Sequence, residues 1–505
     1  MLDPVMNAVV KVFCMHSEPS YSQPWQRESQ YSSTSSGFAL PGQMLLTNAH
    51  SVECHSQVRV KRRGDDKKFL AEVLAVGKEC DIALLKVPDA AFWEGVVPVA
   101  FGGLPRLQDD VIVVGYPIGG DTVSVTSGVV SRIESTSYVH GSRELLGVQI
   151  DAAINSGNSG GPVFDRDRNC VGIAFQSLSS DVAENVGWII PTPVVSHFLT
   201  DYFRNGRITG FPILGVRYQL LESPVLKEKL GLAPLQGGIM VRAVEPTSQT
   251  KDVIKAGDVV LKFDGVDVAG DGTVAFRTGE RISFGYIISQ KYVGERAAVT
   301  VLRDGAVREV EVTLQRIERL VPMDFDGADP PYYIVGGFVF TVASEAYLRS
   351  EYGSYGDDYL SHSPIKLLEA LHKMQSKPGE QVVLLSQILV NDANVGYDPD
   401  RYSNSIVTKV NGTPVGNLLE LVTAIEEADG KYLELEVGMM YKDVIVLDRA
   451  AAMAATPAIL EKMNVPNQCS MLLPTADGGV ERRKGTWADI KSKVGKEAAA
   501  AAVAR

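Results

Sequence analysis

From residue 5 to about residue 202 apolar positions come in short runs, among them Gly37-Phe-Ala-Leu40, Ile82-Ala-Leu-Leu-Lys-Val87 and Val111-Ile-Val-Val114, separated by Gly, Asn and Asp. Runs of this length with turn residues between them predict many short strands, and so an all-β barrel or sandwich. The pattern changes at Thr192, where residues 192–203 take helical spacing and Arg204-Asn-Gly206 supplies a stop. A first unit therefore spans 5–205. Residues 211–318 bring further strand-like runs, Gly238-Ile-Met-Val-Arg242, Val259-Val-Leu-Lys-Phe263 and Ala297-Val-Thr-Val-Leu-Arg303, with an amphipathic stretch over 280–290. Hairpin signals at Asp264-Gly265 and Asp304-Gly305 fall between them, which predicts a small α+β module. After a Pro- and Asp-containing linker, 322–331, a third unit over 331–449 repeats that order: strand at 333–340, helix, strand at 382–390, strand with hairpin at 406–412. Residues 450–505 predict one short helix and then a charged, Ala-rich, mobile tail.

A length of 505 residues fits three such units and excludes a single domain. Apolar residues at 45% and charged residues at 22% leave each unit a core to bury and exclude wholesale disorder. A net charge of -12 gives no general basic field, and the one compact basic run, Lys61-Arg62-Arg63, is followed by Asp65 and Asp66, so nucleic acid is not an expected partner. Five cysteines with no CxxC pair favour free thiols in a reducing compartment. Met1-Leu-Asp-Pro4 opens without a basic or long apolar leader, and no stretch reaches the ~18 apolar residues that cross a bilayer. The expectation is a protein that is soluble or at most peripheral to a membrane, either cytosolic or read without its targeting segment.

The chemistry gathers at three places. A hydroxyl that attacks an amide needs a base within hydrogen-bond reach and donors for the oxyanion that develops. Gly157-Asn-Ser-Gly-Gly-Pro162 suits this: glycines on both sides of Ser159 permit a tight backbone that aims amides at one spot, so Gly157, Asn158 and Ser159 form the candidate oxyanion hole. Upstream, Leu45-Leu-Thr-Asn-Ala-His50 sets a histidine after an apolar strand, and Cys80-Asp-Ile-Ala-Leu-Leu85 sets an aspartate before one. Taken singly, His50 reads as a structural histidine and Asp81 as a turn former. In the order His, Asp, Ser they read as base, orienting carboxylate and nucleophile.

Thr47-Asn-Ala-His50, Asp81-Ile-Ala-Leu-Leu85 and Asn155-Ser-Gly-Asn-Ser-Gly-Gly161 resemble the three motifs of the Deg/HtrA (protease Do) family. Gly115-Tyr-Pro-Ile-Gly119, Val125-Thr-Ser-Gly-Val-Val-Ser131 and Asp151-Ala-Ala-Ile-Asn155 match the same family, and the resemblance runs over residues 5–450. It implies a mainly-β chain: a chymotrypsin-like double β-barrel protease followed by two α+β PDZ domains, which add a peptide C-terminus to a sheet edge and hold its carboxylate on a glycine-containing loop. Ile213, Leu214, Gly215 and Val216 stand at that loop in the first module, with Lys255-Ala-Gly-Asp-Val259 at a later turn; Gly336, Gly337, Phe338 and Val339 stand there in the second. The second lacks the Ala-Gly-Asp turn and carries an insertion-like stretch, 394–404, which puts its ligand binding in question. Trp25-Gln-Arg27, Phe92-Trp-Glu-Gly95 and Tyr347-Leu-Arg-Ser-Glu-Tyr352 are similar to the plant and green-algal branch of the chloroplast stroma, whose two-PDZ relatives also serve mitochondria and nucleus.

The resemblance further implies homotrimers or multiples of them, with residues 115–121 and 135–142 relaying subunit contacts to the oxyanion loop. Ala153, six residues before the nucleophile, and Ile154 leave no charge to select basic side chains, and Val171-Gly-Ile-Ala-Phe-Gln176, with Ala174 and Gln176 facing the pocket, would pair with extended substrate. The expected substrates are unfolded or damaged proteins, cleaved without ATP in protein quality control. Scattered His55, His140 and His197 show no zinc spacing, so neither metal nor cofactor is expected. The competing reading is a peptide-binding chaperone or scaffold whose peptidase rests in an inactive state.

Overall fold

The computed structural model describes residues 3–138, 143–155, 157–177, 186–232, 237–316, 318–353, 358–438, 442–474 and 480–491. The short apolar runs pair as antiparallel strands that close on themselves twice. β1 (Val9–His16), β2 (Tyr31–Leu40), β3 (Met44–Thr47), β4 (His55–Arg62), β5 (Phe69–Gly77) and β6 (Ile82–Lys86) form one barrel in the order β1-β2-β3-β6-β5-β4. β7 (Asp110–Gly115), β8 (Ser124–Tyr138), β9 (Arg143–Ile150), β10 (Pro162–Phe164), β11 (Cys170–Ser177) and β12 (Gly187–Pro191) form the second, in the order β10-β11-β12-β9-β8-β7. Closure removes the unpaired edges that a flat sheet would leave. Val12, Phe38, Leu46 and Val60 are buried in the strands of the first barrel, and Val113, Val148, Val163 and Ile173 in those of the second.

Helix Thr192–Asn205 follows β12, begins on proline and ends where Gly206, at φ +67°, donates its N–H to the Tyr202 carbonyl. Left-handed geometry there is cheap only for glycine. Val194, Val195 and Phe198 form its buried face, and Gly77 of β5 is pressed so close that a Cβ would stand 2.8 Å from the Phe198 ring.

The first PDZ-like module has strands in the order Val216–Leu220, Ile239–Val244, Val259–Phe263, Arg296–Arg303, Ala306–Thr313, which leaves Val216–Leu220 at an edge. Within 280–290 only Gly285–Ser289 is helical; Glu280–Ser283 is a strand paired with Thr273–Arg277. The module shares one compact unit with the two barrels, residues 1–17 and 30–317. At their seam the His197 ring stacks between Phe211 at 4.2 Å and Tyr292 at 4.3 Å, with Nε2 2.8 Å from the Lys291 carbonyl oxygen. The Glu79 carboxylate accepts the Phe211 amide at 2.9 Å and meets Arg316 at 3.3 Å. The boundary near 205–211 thus separates two folds inside one packed unit.

The second unit comprises residues 18–29 and 318–505. Its sheet runs Asp443–Asp448, Tyr432–Val437, Ser405–Val410, Val383–Ile388, Phe338–Val342, Tyr332–Val335, Cys469–Pro474, Val480–Gly485. Here the expected mobile tail is corrected. Helix Arg449–Lys462 is followed by a hairpin whose first strand pairs with Tyr332–Val335, and Met471, Leu473, Trp487 and Ile490 enter the core. Alternate apolar residues at Cys469, Met471 and Leu473 give this strand its buried face. The Ala-rich end, 492–505, lies outside the described residues. Residues 18–29, which the sequence sets between β1 and β2, contribute Trp25, edge-on to Tyr332 at 5.7 Å, and Arg27, 2.9 Å from Asp329.

Candidate active site

Asp81 lies at the end of a 3-10 turn, Lys78–Cys80, immediately before β6. Its backbone is left-handed at φ +52°, a cost that a non-glycine residue accepts only where its surroundings fix it. They do: its N–H reaches the Lys78 carbonyl at 3.1 Å, and its own carbonyl accepts Asn48 Nδ2 at 2.9 Å. The carboxylate is wholly buried. One oxygen accepts the His50 amide at 3.0 Å and the other lies 2.7 Å from His50 Nδ1. With Nδ1–H donating, Nε2 of the neutral ring carries the lone pair. Burial works against the imidazolium, but the charge and hydrogen bond of Asp81, helped by Glu53, outweigh it, so the His50 pKa is raised.

Ser159 sits on the second barrel's loop before β10, where the described residues of the loop spend most of their backbone groups on named partners. The Asn158 amide donates to the Asn155 carbonyl at 2.9 Å, Gly160 to Ala174 at 2.8 Å and Gly161 to Asn158 at 2.9 Å. The Gly157 carbonyl accepts from Ser36 Oγ at 2.7 Å, that of Ser159 from the Ser36 amide at 2.9 Å, and that of Gly161 from the Ala174 amide at 2.9 Å. Among the described residues, the amides of Gly157 and Ser159 remain without an acceptor. A buried loop that satisfies its neighbours and spares two donors on alternate residues has the form of an anion cradle. Asn158 belongs to the cradle's frame rather than to its donors: its amide is committed to Asn155 and its side chain is buried, which corrects the expectation for that residue.

The two halves meet. A Cβ on Gly160 would stand 2.1 Å from the Ser36 carbonyl oxygen, 2.5 Å from Thr47 Oγ1 and 3.1 Å from the Asn48 amide, so the residue after Ser159 is pressed against the strand end that leads to His50. Gly157, at φ +99°, leans likewise on the backbone of Tyr116 to Ile118, at 2.6 Å from the Tyr116 carbonyl oxygen by the same measure. Of the expected pocket residues, Ala153 is half-buried with its carbonyl taken by Thr126 Oγ1 at 2.9 Å, and Ile154 is buried against the start of β12, where a Cβ on Gly187 would come within 2.7 Å of it. Ala174 is wholly buried and its backbone groups are spent on Gly160 and Gly161, so it supports the Ser159 loop. Gln176 lies on β11 opposite Trp188; its side chain lies outside the described residues, as do residues 139–142 of the expected relay segment. Among the described residues, no three His, Cys, Asp or Glu side chains are grouped to hold a metal ion, and no helix is long and apolar enough to cross a membrane.

Family models match the chain in three places: a trypsin-like peptidase domain over residues 35–173, a PDZ domain over 212–314 and another PDZ domain over 321–471. Protease Do-like 2, chloroplastic, of Arabidopsis thaliana is 50% identical over 475 residues, covering 94% of this chain and 76% of the relative. The chain belongs to the Do-like, or Deg/HtrA, serine protease family. It falls with the plant two-PDZ branch and is a serine endopeptidase. Putative protease Do-like 3, mitochondrial, of the same plant is 40% identical over 470 residues, covering 93% of this chain and 80% of that one. The HtrA-type protease AlgWS227A, solved with a decapeptide, has 24% identity and a TM-score of 0.51 over 62% of this chain and 95% of its own, a likeness of fold.

In this Do-like protease the two expected peptide loops differ. In the first module the Ile213 amide is taken by the Gln315 carbonyl at 3.1 Å, Leu214 is buried, and Gly215 turns at φ +72° into the edge strand that starts at Val216. In the second, Gly336 and Gly337 are the two-residue turn of a tight hairpin, and Phe338 and Val339 lie buried in a strand paired on both sides. The Gly336 amide is held by Thr456 Oγ1 at 2.9 Å, and its carbonyl accepts Nδ2 of Asn391 and of Asn394. The expected carboxylate loop at 336–339 is therefore corrected: both backbone groups of Gly336 and the Gly337 carbonyl are already taken, and the neighbouring edge is filled from within the chain. Sequence reasoning missed Ser36 altogether, although it adjoins the quoted run beginning at Gly37. A serine inside a strand has no spacing to mark it.

Proposed function

We propose that this Do-like protease cleaves peptide bonds by acyl transfer at Ser159. His50 Nε2 takes the hydroxyl proton as Oγ adds to the scissile carbonyl, Asp81 holds the ring and stabilises the imidazolium, and the amides of Gly157 and Ser159 receive the oxyanion. The proton then passes from His50 to the leaving amine, and water, activated by the same ring, releases the acyl group from Ser159. The observation that carries this reading is the pairing of a buried Asp81 with His50 at 2.7 Å, beside a loop whose spared donors are the amides of Gly157 and Ser159. No step draws on a nucleotide.

The apolar wall at Ile154 and Gly187 suits modest apolar side chains, and the β10 side of β11 beyond Ile173, which carries no strand among the described residues, suits an extended backbone. Unfolded or damaged proteins supply both, which points to quality control. In the first PDZ module the edge strand Val216–Leu220 takes a peptide terminus, as the decapeptide-bound relative suggests by fold. The active unit is a homotrimer or a multiple of trimers, and the compartment is the chloroplast stroma, by likeness to a chloroplastic relative, with mitochondria as the alternative that other relatives carry. Wild type and Ser159→Ala are to be compared on unfolded casein, with the oligomer sized in the same samples. Loss of cleavage in the variant at unchanged oligomer size is expected; equal cleavage by both removes the reading.

A further inference from the structure

Ser36 of β2 is wholly buried, yet it belongs to the first barrel while everything its hydroxyl touches belongs to the second. Its Oγ donates to the Gly157 carbonyl at 2.7 Å and accepts the Tyr116 amide at 2.7 Å. Its own amide donates to the Ser159 carbonyl at 2.9 Å, and its carbonyl accepts Thr47 Oγ1 at 2.7 Å. Three glycines stand aside for it: a Cβ on Gly115 would lie 2.9 Å from Ser36 Oγ, one on Gly161 3.3 Å from Ser36 Cβ, and one on Gly160 2.1 Å from its carbonyl oxygen. Ser35, one position earlier and also buried, has a hydroxyl with no hydrogen-bond partner among the described residues. Burying a hydroxyl is unfavourable unless its hydrogen bonds are replaced, so the contrast singles out the Ser36 hydroxyl as one with work to do.

We propose that Ser36 is a positioning residue for the acyl-transfer site, fixing the orientation of the oxyanion amides and coupling it to the loop that begins at Tyr116. This rests on the reading of the Gly157 and Ser159 amides as oxyanion donors. The pinned carbonyls belong to the 157–158 and 159–160 peptide units, which flank the 158–159 unit that carries the Ser159 amide, so Ser36 holds the chain on both sides of that donor and next to the Gly157 amide. Gly157 has the conformational freedom to leave this arrangement, since glycine at φ +99° meets little resistance to peptide rotation. The Ser36 hydroxyl is what holds its carbonyl.

The test uses the full chain, with Ser36→Ala and Ser36→Gly as two ways to remove the hydroxyl and Ser35→Ala as the control for a buried serine lost from the same strand. A peptide boronate reports the oxyanion site directly: the Ser159 oxygen bonds to boron, its proton passes to His50, and a boronate oxygen occupies the place of the oxyanion. With Ser36 replaced, kcat is expected to fall by about 10- to 100-fold with KM within about twofold, somewhat less than deletion of a donor outright. Boronate affinity should fall by the same factor, while binding of the matching substrate peptide, measured in the Ser159→Ala background, stays unchanged. Ser35→Ala should alter none of these. Unchanged kcat in either folded Ser36 variant overturns the proposal, as does equal weakening of boronate and substrate peptide, or an equal fall in Ser35→Ala. Wild-type turnover that survives Ser159→Ala removes the underlying reading instead, and is seen before any Ser36 variant is made.

Discussion

At the residue scale, the buried Asp81 carboxylate does two things to His50 that pH separates. Because the histidine pKa is raised, the neutral base is recovered only above the ordinary imidazole value of about 6.5. The acid limb of kcat/KM should therefore have its midpoint above that value, and Asp81→Asn should lower both the midpoint and kcat, the latter by about 10⁴-fold. Stability runs the other way: a raised folded pKa stabilises the fold fully below the unfolded value, and the contribution is lost as pH rises through the folded value. A pH–rate profile together with melting curves of wild type and His50→Gln checks both signs. The thiols offer a second prediction. Burial raises the thiol pKa of Cys14, Cys170 and Cys469 to about 12 and holds that of Cys80 well above the ordinary thiol value, so iodoacetamide on the native protein should label the half-buried Cys54 first. The pairing of His50 with Asp81 was legible in the sequence because each chemical role demands its own residue type. The framing role of Asn158, the loop-supporting role of Ala174 and the bridging role of Ser36 were not, since all three depend on which backbone groups a fold happens to use up.

At the element scale, strands were legible wherever apolar runs were short and closed by turn residues, as in β6 and β7, and helix Thr192–Asn205 where proline and glycine mark its two ends. The same reading failed over 280–290, because cross-strand pairing of Ile282 with Val274 overrides helical amphipathicity. It failed again after residue 462, because charged positions at Glu481, Arg482 and Arg483 hide a hairpin whose inner face is apolar. That hairpin is predicted to be part of the second unit's stability. Met471→Ala should cost about 2–5 kcal/mol, as large-to-small core changes do, and truncation after residue 463 should cost more by stripping the Tyr332–Val335 edge. Thermal melting monitored by circular dichroism measures both; melting of Met471→Ala indistinguishable from wild type would return this segment to the status of a tail.

At the scale of the whole molecule, three units were legible from the chain's pattern and their order as peptidase, PDZ, PDZ from the family resemblance, whereas the grouping of the first two parts into one compact unit was not, because it depends on contacts such as the His197 stack and the Glu79 carboxylate. The two PDZ modules are predicted to behave differently. The first has an edge strand beginning at Val216, while the second has its loop satisfied by Thr456, Asn391 and Asn394. Calorimetric titration with a short peptide ending in an apolar residue should give one site per chain, and two sites would contradict the account of the second module. The central claim, that Ser159 is the nucleophile and His50 its base, is tested most directly by a fluorophosphonate probe followed by peptide mass mapping. The account predicts a single adduct on Ser159, formed faster as pH rises through the His50 pKa and absent from His50→Ala. An adduct on another serine, or labelling of Ser159 at an undiminished rate without His50, would contradict it.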